Sequence, residues 1–486
     1  MTGLLTSKFV RLLQTFDEDE IKGFDVWLRA PWCNTNKNLP RLLACLRPYY
    51  PGFSDPKLTR ERLFQQMLPK GKFSARRMNN LLSEAYLAAE QFLSFQRFSK
   101  ERGMQQDLLV QEFQTRGLDD WLFKTSTRQI GLLEGKPAKD WEDHLGLFRL
   151  HRRIYQHPNF DSRIHGGHDT LEKMNTHLDL LYLLEKASVI NEMIFRNRFY
   201  QEDHFDVSAG LRKWRHAAEG IRHPALDLYR MRFAGNGKDL LLQYQDMKAA
   251  FLEQFDALNV QEQNIHLLSL LNDAKLLIKS GALDITESLP LYQLGLTTGA
   301  VLNQGQLTPN TYMTIVSASN TKGAFDFTAR FMDTYTDCLA EEIRGDCAHW
   351  ARAHTAYWQK DLETCLSVLQ AYHFREVHFQ MISRVLGAQT YFDLYLSDAS
   401  YQSYLFHFLD AFEKWLGRDK IWARSNTAAF LRFVQVCRTL ARYYADVDPK
   451  PQKIKNLLKN EHNIQALNWL KLKLEEVLRL KAKRAS

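Results

Sequence analysis

The chain has little of what breaks helices and none of the short motifs that mark common chemistries. Among its 486 residues are 23 glycines and 13 prolines, about 7% of the chain where average usage gives roughly 12%. That deficit favours long helices, and 45% apolar residues argues against disorder. No run approaches the roughly 18 consecutive apolar residues a bilayer-spanning helix needs, so no membrane partner is expected. The six cysteines (Cys33, Cys45, Cys338, Cys347, Cys365, Cys437) form no CxxC pair and no dense framework. They read as reduced thiols of a cytoplasmic protein. GxSxG, GxxxxGK[ST], HExxH and a GxGxxG following a strand are all absent, so the sequence points to no enzyme and no cofactor.

What is present is charge, unevenly placed. The formal net charge is +8. Residues 1–100 hold 16 basic and 9 acidic side chains, residues 449–486 hold 10 and 3, and the middle holds 38 and 44. Basic ends flank an acidic body, an arrangement that serves solubility, or an end that meets an acidic partner or nucleic acid.

The opening MTGLLTSKFVRLLQTF is interrupted by Lys8 and Arg11 and followed by acidic residues, so it reads as an amphipathic helix and not a signal peptide. Asp17 ahead of Glu18, Asp19 and Glu20 predicts a capped helix carrying Ile21, Phe24, Trp27 and Leu28 and ending at Pro31. Pro40 is expected to open a short helix closed by Pro48, and Thr59 to cap another that stops at Pro69. Ser74 begins the clearest one, with Met78, Leu82, Ala85, Ala89, Phe92 and Gln96 at spacings of three and four, and Leu81 and Phe95 widening the stripe. One or two helices follow between 105 and 133, and another over Trp141–Tyr155. Gln156 to His168 reads as a loop, after which Asp169 and Glu172 form a capping signature.

Beyond it, turns are expected near Gln201, Gly235 to Gly237, Ser280-Gly281, Thr321 to Gly323, Lys360-Asp361 and Ser397-Asp398, roughly forty residues apart, the period of two-helix repeats. The clearest pair occupies Thr308 to Tyr372. At an offset of 37 residues Val316 falls on Ala353, Ser319 on Ala356, Phe325 on Leu362, Thr328 on Cys365, Met332 on Leu369 and Tyr335 on Tyr372. Leu405, Leu409 and Phe412 continue the pattern at an offset of 40. After the Asp448-Pro449-Lys450-Pro451 break, a final helix over Ile464 to Leu480 covers the last apolar face, with Lys481, Lys483 and Arg484 at its C-terminus.

Three resemblances attach to these residues. Ala353, Asp361, Cys365, Leu369 and Tyr372 stand where a tetratricopeptide repeat keeps its small contact residue, its turn and its packing face. That resemblance implies peptide or protein binding in a concave groove. Pro309, Thr311-Tyr312, Thr314, Ile315, Val316, Ala318 and Gly323 are similar to a pentatricopeptide unit, which implies single-stranded RNA. Met313, at that family's base-reading position, has no hydrogen-bonding group. The segments Trp27 to Asn34 and Leu58 to Phe64 resemble the start of some uncharacterised all-helical bacterial proteins and imply no activity.

Lys70, Lys72, Arg76 and Arg77 gather at a helix N-terminus, where positive charge is unfavourable, and Asn80 follows. Arg76, Asn80 and Ser83 lie opposite the apolar stripe, and the layout is that of a helix-turn-helix reader of nucleic acid. His165, His168 and Asp169, with His157 nearby, could be drawn as a metal site, but Gly166-Gly167 between the histidines suggest a mobile loop and Asp169 reads as a helix cap, so no metal is expected. His349 and His354, five apart, sit on different sides of a helix and read as structural. The sequence thus predicts an elongated all-α protein in four parts: a helical domain (1–100), a middle helical segment (101–168), an α-solenoid-like array (169–448) and a capping helix with basic tail (449–486). The expected function is a non-enzymatic scaffold binding a protein or peptide, with nucleic-acid binding through Lys70 to Asn80 as the alternative.

Overall fold

The computed structural model describes residues 4–159, 167–200, 204–234, 239–418, 424–447, 454 and 464–485. Among them there is no strand, only an isolated bridge between Asn303 and Gln306, and the protein is all-α. No helix among these residues is long and apolar enough to cross a membrane. The chain forms two compact units, one of Met1–Gly135 with Gly146–Met174, the other of Lys136–Leu145 with Asn175–Ser486.

The first unit holds α1 (Lys8–Leu13), α2 (Glu18–Arg29), α3 (Asn38–Leu46), α4 (Arg60–Met67), α5 (Ala75–Lys100), α6 (Arg102–Thr115) and α7 (Asp119–Glu134). Helices α8 (Trp141–Tyr155) and α9 (Gly167–Tyr200) contribute residues to both units. The caps follow the sequence closely. Asp17 accepts from the Glu20 amide at 2.7 Å while Glu20 accepts from the Asp17 amide at 3.0 Å, a reciprocal capping box. Thr59 and Ser74 accept from Arg62 and Arg77 in the same way. Pro40 does not open its helix, because α3 starts at Asn38; in the first turn its missing N–H sacrifices no helical bond. Asp169 is likewise not a cap: it lies inside the first turn of α9 and pairs with Lys173 at 3.2 Å. The core of this unit is built by Phe9, Leu13, Phe24, Leu42, Leu63, Met78, Ala85 and Ala89.

The second unit continues with α10 (Ser208–Ala217), α11 (Pro224–Ala234), α12 (Leu240–Gln254), α13 (Val260–Ser280), α14 (Leu289–Thr298), α15 (Pro309–Thr321), α16 (Phe325–Tyr335), α17 (Glu341–Trp358), α18 (Leu362–Ala371), α19 (Val377–Ser397), α20 (Gln402–Arg418), α21 (Arg424–Tyr444) and α22 (Leu467–Ala485). The turns expected near Gln201 and Gly235 lie outside the described residues. Those at Ser280-Gly281, Thr321 to Gly323, Lys360-Asp361 and Ser397-Asp398 coincide with helix ends. The last helix begins three residues later than the pattern suggests and runs to Ala485.

The α15–α16 and α17–α18 turns have the same backbone geometry. Gly323 and Lys360 both adopt positive φ, 77° and 66°. Ala324 N–H donates to Ser319 O at 2.8 Å, and Asp361 N–H to Ala356 O at 3.0 Å. Burial agrees across the six residue pairs aligned at an offset of 37: Val316/Ala353, Ser319/Ala356 and Thr328/Cys365 are buried, and the other three pairs are half-buried. A buried polar network ties α9, α11 and α13 together. Arg232 grips Asp273 with two nitrogens, at 2.7 and 3.4 Å, and also donates to Asn191, whose amide donates to Ser269 at 2.8 Å. A fully paired network of this kind fixes helix register, because any slip would leave a buried charge alone.

Candidate docking groove

The stripe of α2 that carries Ile21, Phe24 and Leu28 faces the core, and the neighbouring face carries Gly23, Val26 and Trp27. On α5 the residues after Ala85 divide in the same way: Phe92 points inward, while Leu87 and Phe95 lie on the outer edge. Gly23 lets the two helices approach closely, since a Cβ there would stand 3.1 Å from the Phe92 ring. The rings form a chain across the crossing, with centroid separations of 5.4 Å for Phe24–Phe92, 6.0 Å for Trp27–Phe92 and 5.1 Å for Trp27–Phe95.

Between the helices lies an open groove of about 1100 Å³ whose lining includes Val26, Trp27, Trp32, Leu87 and Phe95, with Glu90 and Lys100 among its charged residues. Its apolar side chains are uncovered: Trp32 is 88% exposed, Val26 69%, Leu87 56% and Phe95 50%. The indole Nε1 of Trp27 is buried with no hydrogen-bond partner among the described residues. A buried N–H without a partner costs about 1–3 kcal/mol. Periodicity placed Phe95 and Trp27 on the core stripe; the signal it passed over was aromatic density, since Trp27 and Trp32 flank a proline and two further aromatics follow at 92 and 95.

The basic residues of the α4–α5 turn lie at the other end of α5. Lys70, Lys72, Arg76, Arg77 and Asn80 are all exposed. None makes a side-chain hydrogen bond or ion pair with the described residues. The turn itself is held by Gly71 N–H donating to Leu68 O at 2.8 Å, by the edge-on rings of Phe64 and Phe73, and by Arg60 donating to Asn79 at 2.9 Å. Ser83 is exposed as well, so Arg76, Asn80 and Ser83 form an open side of α5, with Arg77 and the turn residues Lys70 and Lys72 exposed near its start.

The second unit has a smaller groove of about 500 Å³, lined by residues of α15, α17 and α19, the leading helices of three successive hairpins. The chain's own residues Ile464 to Trp469 form one of its walls. Trp469 donates from its indole to the Tyr357 hydroxyl at 2.7 Å and packs edge-on against Phe392.

Titratable side chains also gather inside the second unit. His144 and His177 face each other with Nδ1 atoms 3.1 Å apart, and His223 lies close, its ring 6.4 Å from that of His144. Burial, together with the neighbouring His177, His223 and Lys139, pushes His144 down to about 4. Nearby, His266 sits 3.3 Å from Glu262 and against the Tyr229 ring at 4.5 Å. Sequence spacing did not single these residues out, because they come from four separate stretches of chain. Among the described residues no group of three His, Cys, Asp or Glu is arranged to hold a metal ion. His157 is bound on both ring nitrogens, to Asp119 at 3.2 Å and to the Asn159 amide at 3.2 Å, while His165 and the His168 side chain lie outside the described residues. His349 stacks on Tyr372, and His354 stacks on Trp350 and is hydrogen-bonded to Asn320. Burial pushes the Cys347 thiol up to about 12 and that of Cys365 up to about 11, the opposite of an activated nucleophile.

Compared with known proteins, the chain matches no family model, and no curated protein or solved structure is significantly similar to it.

Proposed function

We propose that this protein is a non-enzymatic helical scaffold, and that the α2–α5 groove receives an amphipathic helix of a partner protein. The observation that carries the reading is the contiguous set of uncovered apolar side chains around Trp27 and Phe95. Patches of this kind mark interaction sites, and aromatic anchors dominate their energetics. A helix fits better than a strand. The groove is walled by two helices whose backbone groups are already bonded, which leaves no sheet edge to extend.

Its length sets the size of the occupant. From Leu87 to Lys100, α5 covers roughly 20 Å, enough for about three to four turns of a partner helix. Glu90 and Lys100, ten positions apart, ask for a basic side chain at one end of that helix and an acidic one at the other. The turn geometry shared by α15–α16 and α17–α18 supports a repeat-built second unit of the tetratricopeptide kind, a form suited to holding partners. Six free cysteines suit a reducing, cytoplasmic setting.

The test is selection of peptides from a displayed library of helical sequences on the full chain, with the Phe95→Glu variant as counter-target. Enriched peptides should carry apolar residues at i, i+3 or i+4, and i+7, and should lose at least tenfold in affinity for the variant. Peptides that bind the variant equally well, or the absence of any enrichment, would overturn the reading.

A second reading rests on the exposed, unpaired cluster of Lys70, Lys72, Arg76, Arg77 and Asn80. It assigns that face to the phosphates of a nucleic acid. Binding of the full chain to duplex DNA at low ionic strength should then weaken steeply with salt. A salt-independent signal, or none, would dismiss it.

A further inference from the structure

The first unit has another cleft, about 460 Å³, between α6 and α8, and its lining has a different chemistry. It is lined by Asp107, Gln111 and Gln114 of α6, by Arg149, Arg152 and Arg153 of α8 and by Gln156 of the turn that follows, with no aliphatic or aromatic side chain among them. The three α8 arginines are spaced i, i+3 and i+4, so they share one face of the helix.

The charges on that face are not balanced. Arg153 donates to the Asp107 carboxylate at 2.7 Å and to its backbone carbonyl at 3.2 Å, and Gln111 donates to the other carboxylate oxygen at 3.2 Å. Asp107 is thereby fully engaged and holds one wall in place. Arg149 and Arg152 are exposed and have no ion-pair or hydrogen-bond partner among the described residues. The cleft therefore keeps two unneutralised guanidinium groups. Like charges three and four positions apart destabilise a helix. The helix dipole offsets this for Arg152 and Arg153 in the last turn, but not for Arg149, one turn earlier.

From this juxtaposition we infer that the α6–α8 cleft binds a compact, multiply charged phosphate compound. Guanidinium forks match phosphoryl oxygens in geometry as well as charge. The amides of Gln114 and Gln156, which make no side-chain hydrogen bond among the described residues, add donors around the same space. The lining also restricts what else the ligand carries. With no aromatic side chain to stack a base and no apolar wall, the cleft favours small oligophosphates or polyol phosphates over nucleotides. It is separate from the α2–α5 groove in residues and in chemistry, so the two proposals stand or fall independently.

The test is isothermal titration of the full chain with inorganic pyrophosphate, with sodium sulfate at matched ionic strength as a control for diffuse charge. Pyrophosphate should bind saturably at one site, and Arg149→Gln/Arg152→Gln should weaken it at least tenfold without lowering the thermal midpoint, since both side chains are exposed and repel each other. Arg149→Lys/Arg152→Lys, which keeps the charge and loses the fork, should weaken it several-fold. Equal affinity for sulfate, or Lys variants that bind as tightly as the parent, would reduce the site to nonspecific charge and overturn the inference. Absence of pyrophosphate binding would also overturn it, including the case where a single-stranded oligonucleotide binds instead.

Discussion

Trp469 and Tyr357, more than a hundred residues apart in sequence, are joined by a hydrogen bond of 2.7 Å from indole to phenol. The phenol donates in turn to Asp393 at 2.9 Å, and Lys473 approaches the same carboxylate at 2.6 Å. Through these four residues the last helix is locked to α17 and α19. The Asp393 and Lys473 side chains are 8% and 10% exposed, so neither charge has water to fall back on.

Lys473→Met should therefore be costly. It leaves Asp393 buried with one neutral donor, and breaking a buried pair on one side typically costs about 3–5 kcal/mol. Asp393→Asn/Lys473→Met, which removes both charges, should recover a large part of that loss. Urea unfolding of the two variants beside the parent measures the difference. If the single variant were no less stable than the double, the pair would contribute nothing.

Stability should fall on mild acidification. His144 is 3% exposed and is held to about 4 in the folded protein, against an ordinary value of 6.5. Of the charged groups around it, His177, His223 and Lys139 oppose its protonation and only Asp143 favours it. A lowered folded-state value means the unfolded chain binds the extra proton more readily. The contribution is thus whole above pH 6.5, declines from there to about pH 4 and is constant below; its full size is on the order of 3 kcal/mol. Burial lowers His223 as well, in the same direction. Denaturant midpoints at pH 7, 5.5 and 4.5 should drop steadily in the parent and less in His144→Leu. Equal slopes in both proteins would clear His144 of the effect.

The basic start of α5 gives a prediction with opposite signs for folding and binding. Arg76 and Arg77 are exposed in the first turn of a helix whose N-terminus repels positive charge. Arg76→Glu and Arg77→Glu should each stabilise the protein by about 0.3–1 kcal/mol. If the nucleic-acid reading holds, the same changes should weaken duplex binding. A thermal midpoint that fell in both variants would mean these arginines hold structure that the ion-pair geometry does not reveal.

Gly295 of α14 tests close packing. A Cβ there would stand 2.6 Å from Cγ1 of Val301, a stiff β-branched side chain, and 3.4 Å from Leu267. Alanine gains about 1 kcal/mol of helix propensity over glycine, but overpacking costs about 1–3 kcal/mol. The clash should prevail, and Gly295→Ala should unfold at lower denaturant. Gly131→Ala, where a Cβ meets nothing within 4 Å, should gain stability in the same assay.

Much of the secondary structure was legible because its causes are local. Asp17, Thr59 and Ser74 cap the helices they precede, Trp141–Tyr155 has the predicted bounds, and the turn pair at Gly323 and Lys360 follows the 37-residue offset. The misreadings were local too. Pro40 and Asp169 are residues a helix tolerates anywhere in its first turn, so their types alone do not mark its first position.

The sequence by itself determined an all-helical chain, the helix ends and the apolar stripe of each helix, because capping, chain breaking and 3.6-residue periodicity act within a few positions. Only the tertiary structure decided which apolar residues go uncovered and which titratable ones go inside. Trp27 and Phe95 share periodicity with the core, yet they edge an open groove that no described helix of their unit covers. His144, His177, His223 and Glu262 come together from distant stretches of chain, and Ile464 to Trp469 wall a groove lined by α15, α17 and α19. Such outcomes depend on which helix meets which, and that choice is made by the summed packing of the whole unit.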